Sequence, residues 1–289
     1  MPELPEVENV RRSLTPLLGG LVAGVRSARH DFAFRGATLD PARPRDLLAG
    51  ARIADLHRHG KQLAIVGDDG RAIAIHLGMT GQLLWLPGAR EGSPALPSDH
   101  VHVRWSIRAA NGPGVLVFRD PRRFGGAWAF PSFDALRRHR WNALGPDALL
   151  VTPRALLEAA RGSARSIKAL LLDQGVLAGV GNIYADEALF RARIEPRRRA
   201  GGVRPEEGRR LARAIRAVLR AAVDLGGSTL RDYRDADGNA GGFQRMHRVY
   251  GRGGLGCAVC GQTLREGRVA GRTTVWCPVC QPARSPPSP

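Results

Sequence analysis

Four cysteines restrict this chain more than any other feature. They stand as Cys257-x2-Cys260 and Cys277-x2-Cys280 with sixteen residues between the pairs, and the 289-residue chain has no others. Two CxxC knuckles at that separation match a tetrahedral four-thiolate zinc site. Two disulfides are the poorer reading, because the first residues, MPELPEVENV, carry acids and prolines where a secretory leader carries a basic and then an apolar stretch. Four thiolates leave no position open for water, so one zinc ion here has a structural role. Arg265, Arg268 and Arg272 fall between the pairs and make the tip of the expected hairpin basic.

That tip belongs to a basic chain with a formal net charge of +18. Residues 1–131 hold 17 basic and 12 acidic side chains, whereas residues 132–289 hold 27 and 14. Such a second half suits a polyanionic partner, whose phosphates it would neutralise with release of counterions. Heavy use of Arg, Ala, Gly and Pro is equally what a GC-rich coding bias produces. Of the 44 basic residues, 42 are Arg, and Lys61 and Lys168 are the only lysines. Arg is the better phosphate fork and keeps its proton, whereas Lys can lose it. The two lysines either mark positions where Arg will not serve or are remnants. No apolar run approaches the roughly 20 residues that span a bilayer, so the expectation is a cytoplasmic protein without a membrane partner.

Periodicity divides the chain. Leu4, Val7, Val10, Leu14 and Leu17 recur at helical spacing and predict a helix over 3–18, ended by Gly19-Gly20. Short apolar runs at 53–56, 62–66, 72–77 and 115–118, an alternating run at 100–107 and a turn at Asp68-Asp69-Gly70 predict a sandwich or barrel. After Pro131 the period becomes helical, with helices expected at 133–139, 153–160, 166–173, 182–192 and 205–225. In the last of these, Leu211, Ile215, Val218 and Leu219 share one face, and Arg209, Arg213, Arg216 and Arg220 the other, which reads as solvated surface. The expected chain is α+β: a β domain with an N-terminal helix over 1–131, a helical domain over 132–244, a finger over 245–281 and a disordered Pro/Ser-rich tail over 282–289.

Three further motifs could carry chemistry. Pro at position 2 favours removal of Met1, which exposes a secondary amine. An α-amine titrates near pH 8, and the positive end of a following helix favours its neutral form. With an aldehyde a secondary amine gives an iminium directly, and Glu3 beside it can move a proton. Read alone, the same residues also make a plain helix start. Gly175 to Asn182 (GVLAGVGN) separates two expected helices and could present backbone N–H groups and the Asn182 amide to a phosphate. His76 to Gly81 (HLGMTG) and Asp120 to Gly125 (DPRRFG) each put an exposed apolar residue in a glycine-flanked loop, as in wedges that fill the gap left by an extruded base. Singly, each is an ordinary turn.

Together these motifs, in order and followed by VYGR and the four-cysteine hairpin, make the chain resemble the formamidopyrimidine-DNA glycosylases from end to end, apart from the tail. The resemblance implies an N-terminal β-sandwich, a helix-two-turns-helix domain and a zinc finger. It implies a monomeric enzyme that removes oxidised purines from double-stranded DNA and cleaves the strand at the abasic site by β,δ-elimination. By the same resemblance Pro2 is the nucleophile at the sugar C1′, Glu3 the proton donor, Lys61 an aid to β-elimination and Arg272 to δ-elimination. Met79, Arg122 and Phe124 fill the void, Arg122 facing the orphaned cytosine, while Lys168, Asn182 and Arg272 grip phosphates. The chain departs from the family pattern at Pro97-Ser98-Asp99-His100, where a first histidine is missing and His100 remains as a DNA contact. It departs again at Gly162-Ser163-Ala164-Arg165, a thinned basic cluster, and at Gly242, where an aromatic is usual. An endonuclease VIII-type enzyme for oxidised pyrimidines fits less well, because Leu4 stands where that branch has Gly and the loop over 237–249 is long. A non-catalytic zinc-finger DNA-binding protein would tolerate any residue at position 2.

Overall fold

The computed structural model describes residues 2–27, 47–230 and 233–283; Met1, and with it the expected processing, and the tail from residue 284 lie outside them. Its contacts divide into two compact units, Met1–Ala143 with Gly226–Gly242 and Leu144–Leu225 with Phe243–Pro289. No helix among the described residues is long and apolar enough to cross a membrane.

The first unit opens with α1 (Leu4–Ser13), which buries Leu4, Val7 and Val10. It is shorter than the periodicity predicts because Pro16 has no amide and its ring collides with the carbonyl four residues back. The chain continues as a 3-10 turn, Thr15–Leu17, and Leu14 and Leu17 stay buried. Among the described residues eight strands follow: β1 (Leu21–Ser27), β2 (Ile53–His59), β3 (Gln62–Gly67), β4 (Ala72–His76), β5 (Gln82–Pro87), β6 (Val101–Ala109), β7 (Gly112–Arg119) and β8 (Gly126–Phe130). They pair as two antiparallel sheets, β1-β6-β7-β5 and β2-β3-β4-β8.

Alternation decides between sandwich and barrel. Leu63, Ile65, Ile73 and Ile75 of one sheet and Trp105, Ile107, Leu116 and Phe118 of the other meet in a single core. Ala64, Ala72 and Ala74 face the opposite way, and their small side chains admit Ala135 and Leu136 of α2 (Phe133–Leu136). The helix expected over 133–139 is thus one α turn continued by a π turn, Arg137–Trp141. Strands β1, β5 and β8 escape sequence reading for local reasons. A register shift between Val22 and Gly24 breaks the alternation of β1; β5 is nearly unbroken apolar sequence; β8 is five residues long.

In the second unit α3 (Pro153–Ala160), α4 (Ile167–Leu172), α5 (Asn182–Arg191) and α6 (Pro205–Asp224) match the predicted helices to within two residues, and β9 (Arg265–Val269) and β10 (Arg272–Trp276) form the hairpin. Leu211, Ile215, Val218 and Leu219 of α6 are buried. Arg209, Arg213 and Arg220 are exposed, while Arg216 is half-buried and donates to the Val151 carbonyl.

The contacts divide elsewhere than the boundaries drawn from sequence, and residues 132–143 fall with the sandwich. Residues 226–242 pack with the sandwich, not the helices. The Ser228 N–H and Tyr233 hydroxyl donate to Glu6 (2.7 and 3.1 Å), and the Trp85 N–H to the Ala236 carbonyl (2.8 Å). Gly226 and Gly227, at φ 78° and 82°, stop α6 in a conformation that suits glycine. The finger, in turn, is no separate body. Phe190 of α5 packs with Val249, Leu264, Val275 and Cys277, and Gln281 donates to the Ile194 carbonyl (2.9 Å).

Candidate active site

Pro2 and Glu3 are buried immediately before the first turn of α1, with Glu3 as its N-cap. Glu6, one turn on and also buried, takes the Glu3 N–H on Oε2 (2.8 Å) and the Ser228 N–H on Oε1 (2.7 Å). One carboxylate therefore fixes the backbone beside Pro2 and ties it to the returning segment. The position-2 nitrogen lies at the positive end of the helix, where a neutral amine is favoured.

Lys61 sits in a tight turn of this unit. His59 pairs with Gln62, leaving Gly60-Lys61 as a two-residue hairpin loop. Gly60 alone has positive φ (56°), the pattern of a turn led by glycine. Arg58 clamps this turn to α1 by donating from Nε to Glu8 (3.0 Å) and from Nη1 to the Gly60 carbonyl (3.0 Å). Burial pulls the Glu8 carboxyl up, yet the hydrogen bonds and charges of Arg11 and Arg58 bring it down to about 2. Lys61 itself is 8% exposed. Burial, then the charges of Lys61 and Arg140, lower the His76 imidazole to about 4. Its Nδ1 accepts the Gly78 N–H (3.1 Å), so the neutral ring carries its proton on Nε2.

The two glycine-flanked loops meet. Asp120, wholly buried, accepts the Thr80 hydroxyl (2.5 Å) on one oxygen and the Gly125 N–H (2.7 Å) on the other, and the Arg122 N–H donates to Thr80 Oγ1 (3.2 Å). A Cβ on Gly78 would lie 2.3 Å from the Gly125 nitrogen, so glycine is what lets the backbones touch. This contact turns Met79 (38% exposed) and Phe124 (58%) outward, with the Arg122 guanidinium 4.9 Å from the Phe124 ring centre. His100 is exposed at φ 59°, and its carbonyl accepts the Asp120 N–H (2.9 Å). It borders a small cavity with Ser98, Val101, His102 and Arg123.

In the second unit the sulfurs of Cys257, Cys260, Cys277 and Cys280 lie within 4.8 Å of one another, with Cys260–Cys277 at 3.5 Å and Cys257–Cys280 at 3.9 Å. Zinc–sulfur bonds of about 2.3 Å in a tetrahedron place sulfurs about 3.8 Å apart. The cysteines fit one structural zinc ion. The hairpin above them turns at Ala270-Gly271, both at positive φ (49° and 71°), and Arg272 opens β10 as an exposed side chain with no ion pair among the described residues.

The Lys168 ammonium does not face solvent. It is 0% exposed and bonded to Asp186 Oδ1 (2.6 Å), Thr274 Oγ1 (2.7 Å) and the Thr273 carbonyl (3.2 Å). Burial raises the Asp186 carboxyl to about 6 against the pull of Lys168. Asn182, the first residue of α5, donates from Nδ2 to the same Thr273 carbonyl (3.0 Å). The loop before it is braced by Gln174, which accepts the Gly179 N–H and donates to the Leu172 and Val180 carbonyls, all at 2.9 Å. Glu187 accepts three successive N–H groups, from Arg248, Val249 and Tyr250, at 2.9–3.0 Å.

Sequence reasoning passed over the buried acids Glu6, Asp120, Asp186 and Glu187. Only Glu6 left a local signal, the three-residue spacing from Glu3 that marks a reciprocal cap. The others take at least one partner far along the chain.

Family models match in three stretches. The formamidopyrimidine-DNA glycosylase N-terminal domain matches residues 1–127, its H2TH domain 144–234, and a zinc finger found in Fpg and IleRS 254–283. The formamidopyrimidine-DNA glycosylase of Thermus thermophilus is 44% identical over 288 residues, 97% of this chain and 98% of that protein. The Thermomicrobium roseum enzyme of that name is 43% identical, covering 98% and 99%. The crystal structure of the MutM (Fpg) protein from Thermus thermophilus superposes with a TM-score of 0.82 at 43% identity, covering 97% of this chain and 98% of that one. A Lactococcus lactis Fpg mutant in complex with Fapy-dG-containing DNA superposes at 0.85 and 30% identity, covering 98% and 100%. The chain belongs to the formamidopyrimidine-DNA glycosylase family.

Proposed function

We propose that this protein excises oxidised purines, 8-oxoguanine and formamidopyrimidines, from duplex DNA and then cleaves the strand, acting as a monomer in the cytoplasm on chromosomal DNA. The observation that carries this reading is Pro2, buried at the positive end of α1 beside a buried Glu3 whose backbone Glu6 holds. Once Met1 is removed, the Pro2 nitrogen attacks C1′ and the glycosidic bond breaks, with Glu3 as the proton donor. The C1′–O4′ bond then breaks as O4′ takes a proton, leaving an iminium that draws electrons from the C2′–H bond. Loss of that proton expels the 3′ phosphate, and a second elimination expels the 5′ phosphate.

Lys61, buried in its clamped turn, assists the first elimination, and Arg272 the second. The guanidinium keeps its proton at every accessible pH, so Arg272 acts by holding phosphate and stabilising developing charge. Met79, Arg122 and Phe124 enter the space vacated by the flipped nucleotide, Arg122 against the opposite cytosine, and His100 and Asn182 contact the backbone. Single-turnover excision from duplexes carrying 8-oxoguanine, a formamidopyrimidine or an oxidised pyrimidine tests the reading. Faster removal of both purine lesions is expected, and a clear preference for the pyrimidine refutes the assignment of lesion class.

A further inference from the structure

We infer that Lys168 is a positioning residue, a buried peg that sets the register of the strand carrying Arg272, and that it touches no phosphate. This rests on the role proposed above for Arg272.

An ammonium has three N–H bonds. Asp186 Oδ1, Thr274 Oγ1 and the Thr273 carbonyl offer three acceptors within 3.2 Å of Nζ, in a place solvent does not reach. The charge is paired with Asp186 and two hydrogen bonds go to β10, all inside the protein. The bonds also lead directly to Arg272. The Thr274 hydroxyl that accepts from Lys168 donates its own proton to the Arg272 carbonyl (3.0 Å). On the other side of the pair, Asp186 Oδ2 accepts the Val275 N–H (3.1 Å). With Asn182 on the Thr273 carbonyl, residues 273 to 275 are held from α4 and α5, and Arg272 through Thr274.

The hairpin needs such a support. A two-stranded ribbon is marginal by itself, and this one turns through Ala270 in a left-handed conformation that costs a non-glycine residue about 1–2 kcal/mol. The chemistry also accounts for a lysine in a chain otherwise given to arginine. Three acceptors converging on one point suit a tetrahedral ammonium, whereas a planar guanidinium spreads its donors over a fork.

Thr274 makes the inference testable, because it is 0% exposed and so cannot reach DNA. Thr274→Val keeps the shape and removes the hydroxyl; Thr274→Ser restores it. The measurements are single-turnover cleavage of an 8-oxoguanine duplex and the salt dependence of binding to a duplex with an abasic-site analogue, with zinc content checked for every variant. Thr274→Val should slow the second elimination about tenfold or more, and Thr274→Ser should recover it. Lys168→Met should show the same product pattern, the double variant should be no worse than Lys168→Met alone, and adding Lys168→Met to an Arg272→Ala chain should leave the slope of log affinity against log salt unchanged. Loss of a phosphate contact would lower that slope by about one. Wild-type cleavage by Thr274→Val, or a slope lowered by about one when Lys168→Met is added to Arg272→Ala, overturns the inference. If Lys168→Met does not fold, the Thr274 pair decides. Arg272→Ala separates the two readings: wild-type cleavage by that variant refutes the role of Arg272, while the salt slope still decides that of Lys168.

Discussion

Each unit has a hairpin that bears one cation of the proposed reaction, and the two are supported in opposite ways. In β2–β3 the cation, Lys61, is part of the turn and is buried; the support is a guanidinium of the same hairpin, Arg58, reaching Glu8 of α1. In β9–β10 the cation, Arg272, follows the turn and is exposed; the support is a buried ammonium from another element, paired with Asp186. A buried cation has little freedom beyond its turn, whereas an exposed one depends on whatever sets the strand beneath it. The second hairpin should therefore be the more easily detuned without unfolding.

The largest effect expected from breaking the comparison is loss of zinc. Structural zinc contributes on the order of 10 kcal/mol to small metal domains, so Cys277→Ser or chelation should abolish strand cleavage while the sandwich keeps its melting transition. Calorimetry with elemental analysis checks this; a native chain without metal refutes it. Next comes Arg272→Ala, expected to lose more than the roughly 1–3 kcal/mol of a charge-assisted hydrogen bond in single-turnover cleavage. Arg272→Lys should recover binding better than catalysis, because a point charge survives but the fork does not.

Acid should then loosen the first hairpin. Glu8 is depressed in the folded chain, so its contribution is complete above the unfolded value near 4.5 and is lost as pH falls toward 2. After discounting for solvent screening, that is about 1 kcal/mol. His76, lowered to about 4, adds a loss of the same sign between about 6.5 and 4. Asp186 is raised to about 6, so in the second unit its term moves the other way, falling as pH rises from about 4 to 6. Glu8→Gln should flatten the acid limb of the sandwich transition alone; an unchanged limb contradicts the clamp. The smallest effects lie in the turns. Gly60→Ala should cost about 1 kcal/mol and Ala270→Gly should gain about as much, since the first forces and the second relieves a left-handed non-glycine. Denaturant midpoints measure both.

The comparison also separates what the sequence discloses from what it hides. The zinc ligands, the helix spacing of α6, the apolar run of β3 and the alternation in β6 follow local rules, so Cys257, Leu211 and Leu63 could be placed from their neighbours in the chain. Lys61 and Lys168 stood out together because composition marked both. Only the fold tells them apart, since the partners of Lys168 are Asp186 and, more than a hundred residues on, Thr274. The return of residues 226–242 to the sandwich was equally hidden, because it depends on Glu6 meeting Ser228.

The most direct test of the account is borohydride trapping on a defined 8-oxoguanine duplex, followed by mass mapping of the protein–DNA adduct. The account predicts a chain that begins at Pro2, with the DNA fragment on its N-terminal peptide. An adduct on Lys61 or Lys168, or full lyase activity in a chain that retains Met1, would contradict it.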